Sequence, residues 1–151
     1  MNKQQMIKNT LRLLFILTIF SGNSFADSQP DIQIENFWIV LAPDVARSTA
    51  GYGVIRNNGN EADTLVDIRS HAAMVMLHKT EIDSGMAQMI HMPNIVIEAG
   101  SSLVLEPMSF HLMFSDLTSA MFNEGENIIL FLEFEKSGTI EVKAPIRSSW
   151  H

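Results

Sequence analysis

Apolar and polar positions alternate along most of this chain in short runs, and no segment shows the spacing of a long amphipathic helix. The clearest case lies near the C-terminus. Leu130, Leu132 and Phe134 share one face of a run, and Glu133 and Glu135 share the other. Ile140, Val142 and Ala144 repeat the pattern beyond Lys136-Ser137-Gly138, so the two runs predict a hairpin. The same reading predicts strands at Ile32–Leu41, Gly51–Arg56, Thr64–Arg69, Val75–Thr80, Met86–His91, Ile95–Glu98, Leu103–Leu105, Phe110–Phe114, Ile128–Glu135 and Thr139–Ala144. Turn-forming clusters punctuate them: Asn57-Asn58-Gly59-Asn60, Asp83-Ser84-Gly85, Ala99-Gly100, Asn123-Glu124-Gly125 and Ser137-Gly138. Ser115–Phe122 reads as a short helical turn, with Met121 and Phe122 in the core. Short, regularly spaced strands predict an all-β fold, an antiparallel sandwich of immunoglobulin-like type or a barrel. There is no internal repeat, no low-complexity stretch and no second domain.

The first residues do not fit this pattern. Lys3, Lys8 and Arg12 give a positive start, Leu11–Phe20 is apolar, and Ser24-Phe25-Ala26 offers small residues before a cleavage point. Residues 1–26 are therefore expected to be a secretory signal, cut after Ala26. The apolar run is about ten residues, whereas a membrane-spanning helix needs about 20. No cysteine follows it to carry a lipid. Export leaves residues 27–151 as one domain, with seven basic residues against 17 acidic and a net charge of −10. That charge argues against nucleic acid and anionic membranes as partners.

The chain has no cysteine at all. Thiol chemistry, zinc–thiolate sites and blue-copper electron transfer are thereby removed. Methionine, by contrast, is abundant: eight of the ten methionines, and all five histidines, lie after residue 26. Strand alternation says where some of them face. Phe110, Leu112 and Phe114 form an apolar face, so His111 and Met113 point together to the other side. Val75 and Leu77 do the same for Met76, His78 and Thr80. Asp83-Ser84-Gly85 predicts a hairpin that brings Met89 toward His78. A turn centred on Asp83-Ser84 sets Met89 opposite His78, and a three-residue loop sets Ile90 there instead. Neutral imidazoles and thioethers are a soft, uncharged donor set that favours Cu(I) over zinc or the oxygen-loving cations. His78, Met89, His111 and Met113 are the candidate ligands. His91 shares the face of Met89 and is a reserve donor. Met86 and Met108 are rim residues that could assist, and His71, Met74 and Met76 read as edge or packing residues. Trp38 reads as a core or rim aromatic. There is no G-x-S-x-G, no H-E-x-x-H and no paired carboxylate in a pocket, so the residues do not describe an enzyme.

His78, ten intervening residues, Met89, twenty-one more, then His111-Leu112-Met113 is a spacing that resembles the periplasmic copper chaperones of the PCu(A)C family. Gly51-Tyr52, Arg56-Asn57-Asn58-Gly59 with Asp63 after it, and Leu77-His78 add to the likeness, which spans roughly Ile34 to Pro145. The resemblance implies a cupredoxin-like sandwich that binds one Cu(I) in the periplasm and supplies it toward the CuA centre of cytochrome c oxidase, with that subunit or a Sco-type thiol protein as partner. The chain departs from the family in two places. Pro107-Met108-Ser109-Phe110 replaces a glycine-rich turn, and the end at Ser148-Ser149-Trp150-His151 lacks the His/Met-rich tail that binds a second copper in some members. A different class of function also fits a small sandwich with outward methionines: a non-metal interaction module of the cell envelope.

Overall fold

A computed structural model describes residues 28–118 and 121–148. The expected signal sequence over residues 1–26 and the Trp150-His151 end lie outside the described residues. Ten strands follow one another: β1 (Ile32–Val40), β2 (Ser48–Asn57), β3 (Asp63–Ser70), β4 (Met74–Asp83), β5 (Met86–His91), β6 (Ile95–Ile97), β7 (Ser102–Leu105), β8 (Phe110–Ser115), β9 (Asn127–Phe134) and β10 (Gly138–Arg147). Each matches an expected segment to within a few residues at its ends. Part of the helical turn expected at Ser115–Phe122 falls on residues 119 and 120, outside those described. Among the described residues no helix is long and apolar enough to cross a membrane.

The strands form one hydrogen-bonded sheet in the order β5-β4-β8-β7-β2-β1-β10-β9-β3-β6, with β8 also pairing β2. The sheet curls on itself through β10. Residues 138–145 of that strand pair with β9, while Ile146 and Arg147 at its end lie parallel to Ile39 and Val40 of β1. A second parallel contact joins Leu105 to Phe110. The fold is thus the expected cupredoxin-like all-β sandwich, but its pairing is mixed rather than wholly antiparallel. The curl encloses one core, in which Leu77, Leu112 and Phe114 from one half meet Ile68, Leu130 and Phe134 from the other. The expected C-terminal hairpin is present, and its register sets Ile140 opposite Leu132 and Val142 opposite Leu130. Met121 departs from expectation: it is 45% exposed, and only its neighbour Phe122 enters the core, against Phe114. Trp38 lies half-buried beside Tyr52, with the Arg147 guanidinium over its ring.

Two parts of the sequence pattern turn out to be structural. Gly51 and Gly53 lie on the inner face of β2, where a Cβ would stand 2.7 Å from the Phe114 ring and 2.2 Å from the Phe37 ring. The aromatic rings pack directly on bare backbone. Gly53→Ala is therefore expected to destabilise the fold by about 2 kcal/mol through overpacking, read as a lowered Tm in thermal denaturation. The second part is the Asn57…Asp63 loop. Asn57 is fully buried, and its side chain uses its whole capacity: Oδ1 accepts from the N–H groups of Asp31 and Gly59, and Nδ2 donates to the carbonyls of Glu61 and Ile97. Asp63 is also buried, and its carboxylate accepts from the N–H groups of Thr64, Lys136 and Ser137.

Candidate metal site

Three strands at one end of the sheet carry the candidate donors: β5 at the edge, β4 next to it, then β8. The hairpin between β4 and β5 closes with Asp83 opposite Met86, so the turn is Ser84-Gly85. Both residues have positive φ, 52° and 82°, as a tight type I′ turn demands. This register is neither of the two expected. His78 stands opposite His91, and Met89 stands opposite Thr80. Met89 is thus a diagonal neighbour of His78 on the same face, with Cα atoms about 7–8 Å apart by strand geometry, and His91 takes the position directly across. On the other side of β4, His78 faces His111 and Met76 faces Met113.

One rung of the sheet therefore reads His91–His78–His111 across three strands. The His78 ring stands edge-on to both others, at centroid distances of 5.7 Å to His91 and 6.0 Å to His111. Met113 and Met76 share the next rung to one side, with Ala50 of β2 beyond them, and Met89 lies on the other. The face is opposite the core, as the alternation required. It is not freely exposed, however: His78 retains 9% of its surface and His111 7%. Each of these strands has neighbours on both sides, and the flanking side chains shut out water that a strand pattern alone would admit. Met89 on the edge strand is 65% exposed, and Met113 is half-buried. Met76, expected as packing, joins the donor face, whereas Met74 is exposed at the strand start and His71 stacks edge-on to Phe131. Met86 and Met108 lie exposed at the two turns flanking the site. Met108 sits at φ 59°, a left-handed backbone where a glycine would be at ease.

The surroundings of the two imidazoles bear on their capacity as ligands. His111 Nδ1 lies 3.1 Å from the Ser109 carbonyl oxygen. A carbonyl only accepts, so Nδ1 carries the proton, which in the neutral ring leaves the lone pair on Nε2. The same carbonyl accepts the Thr80 N–H at 3.0 Å and so ties the ring to β4. His78 Nδ1 is buried and has no hydrogen-bond partner among the described residues. Buried polar atoms are normally paired, and an orphan imidazole nitrogen between two further imidazoles fits a site made for a ligand. Burial, then repulsion from His111 and His91, lowers the His78 pKa below the ordinary histidine value and favours the neutral, ligating form. Among the described residues, no three His, Asp or Glu side chains are placed to hold a metal together. The methionine sulfurs on this face are the further donors present. Sequence reading missed the place of His91 directly opposite His78 because the hairpin register that decides it depends on the turn type; Ser84-Gly85 was the available signal.

The LpqE-like family model, described as that of a lipoprotein, matches residues 32–146. No curated protein sequence gives a match. Among solved structures, the copper-bound PCuAC domain from PmoF2 is 19% identical, covering 80% of this chain and 99% of that one, with a TM-score of 0.66. The apo PCuAC domain from PmoF1 is also 19% identical, covering 80% and 100%, with a TM-score of 0.65. The Cu(I) form of DR1885 from Deinococcus radiodurans is 25% identical, covering 85% and 86%, with a TM-score of 0.64.

Proposed function

This chain belongs to the LpqE-like family, and from that premise we propose that it is a copper carrier that holds one Cu(I) at His78, Met89, His111 and Met113 and hands it to a partner protein. The observation that carries the reading is the buried Nδ1 of His78, without a partner among the described residues, beside a His111 ring held through Nδ1 by the Ser109 carbonyl, with methionines on the same face. The copper-bound state of the similar DR1885 supports the choice of ion. Two neutral imidazoles and two thioethers leave the ion its full charge, which suits Cu(I) and gives firm but reversible binding. The donors also differ in access. Met89 sits on an exposed edge strand, whereas the imidazoles are buried. Exchange would begin at Met89: an incoming donor replaces the thioether there and the imidazoles release last. Such a route moves an ion without a chemical step, so the role is carriage rather than catalysis.

The signal sequence over residues 1–26, cut after Ala26, places the 27–151 domain in the periplasm in this reading. The recipient would be the CuA subunit of cytochrome c oxidase or a Sco-type thiol protein, whose softer thiolates can displace thioethers. Titration of the reduced protein against a chromophoric Cu(I) chelator tests the core of it. Saturable one-to-one binding is expected, and none would overturn it.

Acidity should weaken the complex in a defined sense. Each imidazole must lose its proton to ligate, so affinity is flat well above the ordinary histidine pKa of about 6.5. Below it, affinity falls by up to about tenfold per pH unit for each protonated ligand. The lowered pKa of His78 delays its part of the loss to more acid pH. Chelator competition across pH 5–8 checks this, since thioethers do not titrate.

An envelope interaction module is the second reading. It draws on the exposed Ile82, Met86 and Met89 of the hairpin, and it would bind its partner equally well with and without copper.

A further inference from the structure

The family-type spacing leaves out the residue that the sheet places nearest to His78 on β5. His91 is in register with His78, whereas Met89 is one rung away, opposite Thr80. We propose that His78, His91 and His111 form a second donor set for the same ion position, one that binds Cu(II) through three imidazoles. This rests on the copper-carrier reading and deepens it.

The argument is one of donor chemistry on a fixed frame. Cu(II) prefers imidazole nitrogen and gains little from a thioether, and Cu(I) has the reverse preference. A site of two histidines and two methionines therefore holds Cu(II) weakly. Here a third imidazole is available on the same face of the same rung, with His78 at the centre and its neighbours' rings at 5.7 and 6.0 Å. The central ring has an unpartnered buried nitrogen between them. His111 is fixed in the tautomer that exposes Nε2 by its bond to Ser109. His91 is exposed on the edge strand, so its ring can turn toward His78 without disturbing the core. Such a turn is required, because as the rings stand no three of them converge. The two donor sets then share His78 and His111 and differ at β5. Met89 serves Cu(I), and His91, two residues on and on the same face, serves Cu(II).

The experiment is a pair of titrations on the mature domain and three variants: His91→Ala, Met89→Ala and His78→Ala. Cu(I) is competed against a chromophoric chelator under reducing conditions. Cu(II), added as the free ion without reductant, is competed against glycine and followed by electron paramagnetic resonance for the number of coupled nitrogens. His91→Ala should weaken Cu(II) at least tenfold and remove one nitrogen coupling, while changing Cu(I) affinity less than threefold. Met89→Ala should do the opposite. His78→Ala should weaken both. Cu(II) affinity and nitrogen coupling that are unchanged by His91→Ala would overturn the proposal, as would Cu(II) binding that survives His78→Ala, since that ion sits elsewhere. Failure of the copper-carrier reading itself would look different: the wild-type domain would not take up Cu(I). Circular dichroism establishes that each variant is folded. If one is not, His91→Asn and Met89→Leu replace the alanines with the same expectations.

Discussion

His78→Ala is expected to lower Cu(I) affinity by more than about a hundredfold, since losing even a residue that only supports a metal ligand typically costs 10–100-fold. His78 is the only candidate donor with a histidine directly across from it on each side, His91 on β5 and His111 on β8. Removing its ring breaks the centre of the donor face rather than its rim. The double variant His111→Ala plus Met113→Ala should be at least as severe, because it empties β8 of both donors. Met89→Ala should be milder, since that side chain is 65% exposed and water or a neighbouring thioether can take its place. The order of these losses separates a defined site from diffuse attraction of cations to an acidic protein, which would be indifferent to any single residue. Chelator competition measures all three. Affinities that remain within a few-fold of wild type in the double variant would exclude this face as the Cu(I) site.

Asp63→Ala should cost about 3 kcal/mol of stability and lower the Tm by about 10 °C. The variant leaves the N–H groups of Lys136, Ser137 and Thr64 without the acceptor that closes the turn after β9 onto the start of β3. Its pH dependence adds a signature. Burial raises the Asp63 pKa, but the Ser137 side chain and the backbone N–H groups of Lys136, Ser137 and Thr64 outweigh that and hold it below the ordinary value. A lowered folded pKa means that the unfolded chain binds the proton first. This contribution is full above the unfolded pKa of about 3.9 and is lost as pH falls through the lower folded value. Urea unfolding of wild type and variant between pH 7 and pH 3 should show the difference between them narrowing only at the acid end. A constant difference would assign the loss to packing alone. Copper affinity should be unchanged in folded Asp63→Ala, since Asn57 and Asp63 lie at the opposite end of β2 from Ala50, about 20 Å along the strand.

That separation explains which parts of the sequence were readable. Alternation in Phe110–Ser115 and Met74–Asp83 assigned His78, His111 and Met113 to the face away from the core, because a strand has only two faces and the apolar set names one. The same logic located the C-terminal hairpin, whose two apolar faces meet. It failed at β4–β5, where both sides of the hairpin run past the core. Lys79 and Glu81 bond to each other there instead of being apolar, so no hydrophobic pattern fixed the pairing. Only the turn did, and Ser84-Gly85 shifted His91 into the place expected for Met89 or Ile90. Burial of His78 and His111 was equally hidden, because it depends on the pairing of β4 with β8, which lie about thirty residues apart in sequence. The Asn57…Asp63 motif and Gly51-Tyr52 were visible as pattern, whereas Gly53 was not singled out. Their work, holding turns and admitting two aromatic rings, could be seen only from the contacts.

The edge position of β5 has a consequence in time as well as in space. All six of its residues are exposed, and among the described residues β4 is its only strand partner. Its ladder should therefore fray long before the rest of the sheet opens, and its amide protons should exchange with deuterium faster than those of β8 or β9. An ion held jointly by β5 and β8 would fasten that loose margin to the inner strands. Loading copper should then slow exchange in β5 and in the facing half of β4, leaving β9 and β10 untouched. The carrier would be stiffest when laden, and the strand that meets a recipient first would regain its mobility as the cargo leaves.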